Sequence, residues 1–409
     1  MRPCASDAGG GALTAQEKVL SPADAPPIRT APPAARPTSP LIWRHRRLFA
    51  ALALILIATP LAVSLVAPDS PVLVMSEGRL FAPAPSAPKT LADWLALPAA
   101  TDAYVKDHFG LRHAMIRAHV DLTKPMFGAG GAQSQFLVGR DGRLFYLGDE
   151  LVRQSAGLIL RRESVTDTAA FVGAMRDKLA DRGARLIVAL PPNSATIYQD
   201  DLPVWAQKGG RTTEYDLFLR ELAERGIKTV DLRPVLEGVR AGHEAYLVHD
   251  SHWTPRGAIA AFNAVTEAAG HRDWALDPAA SLSPPTQRRG GDIARFLGVD
   301  GALSEEVEEL NLPTGETEVD LSPSPMPDHV QVSGRPGATV MVIGDSFTAD
   351  FFTTMLVQNA ARVVWLNHQR CGFDWKWIDR YRPDEVWWMP TERFLTCKPG
   401  ARPIDFAGP

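Results

Sequence analysis

The segment Val342-Ile-Gly-Asp-Ser-Phe-Thr348 sets a serine directly after an apolar run and before a helical pattern at Phe352, Met355, Leu356 and Asn359. A strand-to-helix turn of this kind holds the Ser346 hydroxyl at the edge of a sheet. Gly344 permits a tight turn, and the backbone N–H groups around a helix start can stabilise an oxyanion. Alone, the triplet reads better as an ordinary serine N-cap of the next helix. A nucleophile needs a base, and Tyr246-Leu-Val-His-Asp-Ser-His-Trp-Thr-Pro-Arg-Gly257 supplies one. Asp250 and His252 are two apart, so in extended chain their side chains share a face. A carboxylate at Nδ1 fixes the tautomer and stabilises the imidazolium, leaving Nε2 to take a proton from a serine hydroxyl.

The alternatives for Asp250 and His252 are a local hydrogen-bonded turn or a metal site shared with His249 and His243. The metal reading is the weaker one, because His249 would point to the opposite face and no HExxH or cysteine-rich spacing accompanies it. Thr254 and Pro255 make a good helix start, Thr as N-cap and Pro at N1, with Ala258, Phe262, Val265 and Ala269 as the buried stripe. Asn193, just beyond a strand end, is a candidate oxyanion donor or a turn residue. Flat apolar tryptophan faces suit sugar rings. Trp253, beside His252, is the best candidate to line the site, Trp375 and Trp377 are further candidates, and Trp387 and Trp388 read as core. Glu392 and Arg393 follow the last strand, where a structural ion pair is the safer reading.

These residues require a framework. Short apolar strands, Ala184–Leu190, Thr229–Leu232, Thr339–Ile343, Arg362–Leu366 and Glu385–Met389, alternate with helical patterns. That alternation predicts an α/β fold, a mostly parallel sheet flanked by helices, with its site at the carboxyl ends of the strands. Asp277–Arg335, rich in Pro, Ser and Gly, lacks strong periodicity and reads as a long insertion able to cover the site.

The first 42 residues are dominated by Ala, Pro, Ser and Thr and read as a disordered cytoplasmic tail. Residues 43–67 read as one transmembrane helix. Leu48–Val66 carries no charge, and nineteen residues of helix span roughly 28 Å, close to a bilayer core. Three arginines precede it, so the positive-inside rule places the rest of the chain outside. A cleaved signal peptide or a buried soluble helix are the alternatives. Residues 68–89 form a proline-rich linker, and 90–409 the folded domain. The formal net charge of −4 over 409 residues gives no pull toward nucleic acid. Cys4 falls in the tail. Cys371 and Cys397 follow predicted strands in the exported part, where they form either a disulfide or two buried thiols.

With both motifs in hand, the sequence resembles the alginate O-acetyltransferase AlgJ/AlgX family, whose SGNH-hydrolase-like domain carries D-[ST]-H-W followed later by G-D-S-[FY]. The likeness extends through Asp107–Arg112, Gly139–Tyr146, Leu190–Ser194 with Tyr198, and Thr391–Phe394, and so covers roughly residues 100 to 396. It implies a Ser346–His252–Asp250 triad, with Asp and His preceding Ser in chain order, and neither cofactor nor metal. It also implies an inner-membrane, single-pass enzyme with its catalytic domain in the periplasm. Such an enzyme would take acetyl groups from a membrane-bound acyltransferase and pass them to hydroxyls of an exopolysaccharide acceptor. A carbohydrate esterase with the same triad, or a noncatalytic polysaccharide-binding factor, are the competing functions. The family often has Lys where Ser194 stands, and AlgX-like members carry a carbohydrate-binding module for which no room remains before Pro409, so the expected layout is closer to AlgJ.

Overall fold

A computed structural model describes residues 45–66, 82, 84–107, 136–296, 301–320, 326–349, 351–368 and 375–396. The chain divides into two compact units, Met1–Ala58 and Thr59–Pro409. The expected tail 1–42 lies outside the described residues, as do Cys4, Cys371 and Cys397, and 84–89 of the expected linker have no regular structure. The apolar run does form a helix, Arg46–Val66, with Leu54, Leu56 and Ile57 exposed. Among the described residues, however, no helix is long and apolar enough to cross a membrane.

The strands in chain order are β1 (Phe136–Val138), β2 (Leu144–Tyr146), β3 (Arg185–Leu190), β4 (Thr229–Asp231), β5 (Thr286–Arg289), β6 (Ser304–Val307), β7 (Glu316–Asp320), β8 (His329–Val332), β9 (Thr339–Gly344), β10 (Arg362–Asn367) and β11 (Glu385–Met389). Seven form the central sheet in the order β4-β3-β11-β9-β10-β8-β7. The five strands expected from the apolar runs are its parallel part. β9, which ends just before Ser346, lies between β11 and β10.

Both faces of this parallel part are covered, which is why its strands read as nearly continuous apolar runs rather than alternating ones. Val340, Val342, Trp365 and Trp387 pack on one face with Ala258, Ile259, Phe262 and Val265 of the helix Pro255–Ala269. Met341, Ile343, Val364 and Trp388 pack on the other with Val172, Met175 and Leu179 of Arg162–Ala180 and Phe218 and Leu222 of Glu214–Glu224. The helix after the histidine motif starts as expected: the Thr254 hydroxyl accepts from Gly257 N at 3.0 Å, Pro255 follows, and Gly270 ends it at φ +89°. Such a cap contributes about 1 kcal/mol.

The stretch Asp277–Arg335, expected as a long insertion without strong periodicity, carries elements of its own. It adds β8 and β7 antiparallel to the sheet beyond β10, with a register shift between Thr317 and Val319, and it contains the β5–β6 hairpin and a short helix, Asp292–Phe296. β8 is mostly half buried and β7, at the sheet edge, is irregular in register, so neither shows an apolar run and hydrophobic patterning passes over them. Likewise, β10 and β11 are not neighbours, since β9 separates them. The strands that precede Cys371 and Cys397 are therefore separated by one strand rather than adjacent.

Candidate functional site

Ser346 opens a short helix, Ser346–Ala349, directly after β9. Gly344 is needed there for close approach rather than for a left-handed backbone: a Cβ would lie 2.1 Å from Thr348 Oγ1. Asp345 shapes the turn. Its Oδ1 accepts from Phe347 N at 3.0 Å, its carbonyl accepts from Thr348 N and Ala349 N at 2.9 and 3.1 Å, and its Oδ2 accepts from Thr391 N at 2.8 Å, tying this loop to the one after β11. The first N–H groups of a helix have no intrahelical acceptor. Those of Phe347, Thr348 and Ala349 are taken up by Asp345, and the Ser346 N–H, beside its own hydroxyl, is the candidate backbone donor to an oxyanion.

The base arrives from another part of the chain. Residues 246–253 form a tight loop closed by an antiparallel bridge between Tyr246 and Trp253 and by Leu247 N donating to His252 O at 3.1 Å. Asp250 and His252 share a face because Asp250 Oδ1 accepts from His252 N at 3.0 Å, an Asx-type turn rather than the strand alternation expected from their spacing. The loop is braced from outside the sheet. The Arg143 guanidinium donates to the Tyr246 and Leu247 carbonyls at 3.3 and 3.1 Å and lies 3.7 Å over the Tyr198 ring, while the Tyr198 hydroxyl accepts from Ala245 N at 2.9 Å. Glu305 accepts from Val248 N at 2.7 Å and His249 N at 3.1 Å. The segments Gly139–Tyr146 and Tyr198 thus hold the Asp250–His252 loop in place.

The result is a continuous chain of hydrogen bonds. Ser346 Oγ–H donates to His252 Nε2 at 2.8 Å, and His252 Nδ1–H donates to Asp250 Oδ1 at 2.6 Å. Phe347 lies against the imidazole, with ring centroids 5.0 Å apart. Burial works to raise the Asp250 pKa, but the His252 charge and the hydrogen bonds from His252 and Asp292 hold its carboxyl far below the usual range. Burial works to lower the His252 pKa, yet Asp250, with help from Asp292, raises it on balance, and Arg393 acts against them. The imidazole is the half-open member, its side chain 26% exposed beside an Asp250 side chain at 4%.

Other expected participants sit elsewhere. Trp253 is fully buried, stacked on Phe352 at 5.7 Å with Nε1–H donating to Phe347 O at 3.1 Å, so it seats Phe347 and offers no face to a sugar. Trp387 and Trp388 are core. Trp375 lies near Lys178 and Arg182, at the strand ends opposite Ser346. The Asn193 side-chain amide has both N–H donors engaged, by Gln154 Oε1 at 3.3 Å and Ser155 Oγ at 3.2 Å, while its buried Oδ1 has no hydrogen-bond partner among the described residues. It is not free to serve an oxyanion in this arrangement. Glu392 and Arg393 do not pair: Glu392 Oε2 accepts from Asn193 N at 2.8 Å and Thr196 Oγ1 at 2.6 Å, and burial raises its pKa to about 7. Arg393 lies 5.2 Å over the Phe347 ring, and its buried Nε has no hydrogen-bond partner among the described residues. His249 turns to Glu305 at 3.4 Å and His243 is exposed, so neither joins Asp250 and His252.

Asp292, from the stretch Asp277–Arg335, joins the site although neither motif contains it. Its Oδ2 lies 3.5 Å from His252 Nδ1 and its backbone N–H donates to Asp250 Oδ2 at 2.9 Å. The only signal for it in the sequence is the Gly290-Gly291-Asp292 turn, and nothing in its spacing points to His252. Asp250, His252 and Asp292 offer ligand atoms within 4.8 Å of one another. Yet the Asp292 oxygens already accept from Ser251 N, Ser251 Oγ and Ile293 N, and Asp250 Oδ2 from Asp292 N, so the cluster is hydrogen-bonded shut rather than arranged around a cation.

Comparison with known proteins adds a family. Residues 136–388 match the family described as SGNH hydrolase-like domain, acetyltransferase AlgX. The "Probable alginate O-acetylase AlgJ" of Pseudomonas putida is 28% identical over 171 residues, 41% of this chain and 43% of that protein. Its namesake in Azotobacter vinelandii is 31% identical over 96 residues, 24% of this chain and 25% of that one. The chain thus spans less than half the length of these curated relatives. Among solved structures, the O-acetyltransferase domain of Pseudomonas putida AlgJ aligns with a TM-score of 0.44 at 19% identity, covering 64% of this chain and 93% of that domain. Pseudomonas aeruginosa AlgX aligns with a TM-score of 0.40 at 19% identity, covering 64% and 63%.

Proposed function

The chain belongs to the SGNH hydrolase-like acetyltransferase AlgX family, and from that premise we propose that it is a serine O-acyltransferase moving acetyl groups onto hydroxyls of an exopolysaccharide. The observation that carries the reading is the Ser346–His252–Asp250 chain of hydrogen bonds at 2.8 and 2.6 Å. Such an array performs acyl transfer in two matched halves.

In the first half, Ser346 Oγ attacks the acetyl carbonyl of the donor as His252 Nε2 takes its proton. The carbonyl oxygen gains negative charge beside the Ser346 N–H. The donor's leaving oxygen or sulfur then departs with the proton from His252, and an acetyl ester remains on Ser346. In the second half, a sugar hydroxyl gives its proton to Nε2 and attacks that ester, and Ser346 leaves with the proton returned. Asp250 stays ionised throughout and stabilises the imidazolium. Water reaching the ester in place of sugar would make the same site an esterase, so acceptor binding decides the outcome.

The acceptor is proposed to be alginate or another polysaccharide, because the curated relatives are named alginate O-acetylases. A membrane-bound acyltransferase as acetyl donor, and tethering of the chain to the inner membrane by residues 43–67 with the catalytic domain in the periplasm, belong to the same proposal. The tether and its orientation rest on the uncharged run after three arginines, and the donor rests on the family resemblance. Fusion of a periplasm-dependent reporter after Pro409 tests the orientation: reporter activity is expected, and an inactive fusion removes this part.

The function is tested by incubating the purified full chain with p-nitrophenyl acetate, with and without oligosaccharides, and following acetate release and sugar mass, with Ser346→Ala as control. Ser346-dependent acetylation of a sugar is expected. Acetate release alone would make the protein an esterase, and a folded wild type with no Ser346-dependent turnover would leave a binding role.

A further inference from the structure

Asp292 makes more contacts with the catalytic loop than the triad requires. Its Oδ1 accepts from Ser251 N at 2.7 Å and from Ile293 N at 2.6 Å, and its Oδ2 accepts from the Ser251 hydroxyl and lies 3.5 Å from His252 Nδ1. Ser251 is the residue between the two motif members, so a single carboxylate from a distant segment grips the loop at its centre. In return, the Asp292 N–H donates to Asp250 Oδ2, the oxygen that His252 leaves unused. The approach is possible only because Gly291 has no side chain: a Cβ there would lie 2.3 Å from His249 O and 3.0 Å from Asp250 Cβ.

We propose that Asp292 is a positioning residue of the catalytic constellation, a second carboxylate that clamps the Asp250–His252 loop through Ser251 and strengthens His252 as a base. The proposal rests on the acyl-transfer reading of the site. One imidazolium facing two carboxylates is favoured more than one facing a single carboxylate. The cost falls on Asp292, whose pKa burial and the Asp250 charge push up to about 6. Among the described residues, Arg393 from the loop after β11 and Tyr146 from β2 also act on the pair, Arg295 donates through Nε to Gly291 O at 3.2 Å, and Glu305 of β6 faces the same loop at Val248 N, His249 N and the His249 ring. Protons in such a cluster belong to the group rather than to one residue.

The test compares full-chain wild type with Asp292→Asn and Asp292→Ser, both of which retain an oxygen to cap the short helix. With p-nitrophenyl acetate, plateau kcat/KM is expected to fall about three- to tenfold in the variants, following the Brønsted dependence of general-base catalysis. The acid limb should move down by roughly half to one pH unit, because His252 becomes a weaker base. A purely structural role would lower the rate and leave the limb in place, and that result overturns the proposal. NMR titration of the His252 imidazole, identified by its loss in His252→Gln, reads the same downward shift without turnover. If the acyl-transfer reading fails for want of activity, this titration still decides on Asp292. In the wild type alone, imidazole signals must also sense a second group titrating close to them; a single isolated titration refutes the coupling even if neither variant folds.

Discussion

Two clusters of buried acids flank the strand end that carries Ser346, and they handle the same electrostatic problem differently. On one side, Asp250 and Asp292 surround His252. On the other, Glu214 and Glu392, both fully buried, sit with Gln154, Asn193 and Thr196 behind the loop after β11. Asp345 reaches toward the second cluster through Thr391 N, and Ser346 belongs to the first. Burying a carboxylate is costly unless its charge is matched or removed. Glu214 is matched by a fixed guanidinium: Arg161 donates to it through backbone N, Nε and Nη2 at 2.6, 2.9 and 2.7 Å. Glu392 is relieved by a retained proton, its pKa raised to about 7 chiefly by burial. Around His252 the matching charge is itself mobile, because the imidazole gains and loses a proton during the proposed reaction. A fixed counter-charge suits a support, whereas a movable one suits the proton transfers of the proposed reaction.

Breaking the mobile side should have the largest effect. Asp250→Asn keeps the shape but misdirects the imidazole tautomer, and kcat for acetyl transfer is expected to drop about 10⁴-fold with little change in thermal stability. A drop of less than about tenfold would mean that Asp250 only shapes the loop. Breaking the fixed side should do the reverse. Glu214→Ala leaves Arg161 and Gln154 without their acceptor and is expected to cost about 3 kcal/mol in denaturant unfolding, with any surviving folded protein retaining its pH profile.

Glu392 gives a pH signature of its own. Its folded pKa of about 7 lies above its ordinary 4.5, so the native state holds a proton that the unfolded chain gives up between those values, and stability declines as pH rises across that window. In Glu392→Gln this decline should be absent, raising Tm relative to wild type at pH 8 but not at pH 4; equal shifts at both pH values would assign the effect to packing instead. The smallest effect sharpens the comparison most. Arg393 opposes the charge on His252, so Arg393→Gln should move the acid limb up by roughly half a pH unit, opposite in sign to the shift expected for Asp292→Asn.

What the sequence determined by itself was local. The five apolar runs became the five parallel strands because strands buried on both faces must be apolar throughout. The Thr254–Pro255 helix start, and a serine placed between a strand and a helix, are likewise matters of short-range chemistry. Asp250 and His252 were legible as a pair for the same reason, although an Asx-type turn rather than strand alternation aligns them. Tertiary structure alone decided what crosses the chain: the meeting of His252 with Ser346, 94 positions apart, the bracing of the loop by Arg143, and the arrival of Asp292 from a stretch with no periodicity. It also withdrew Trp253 into the core and turned Glu392 toward Asn193 instead of Arg393. Periodicity records which face of an element is buried, but it carries no information about which distant carboxylate, amide or glycine will be pressed against that face when the layers close.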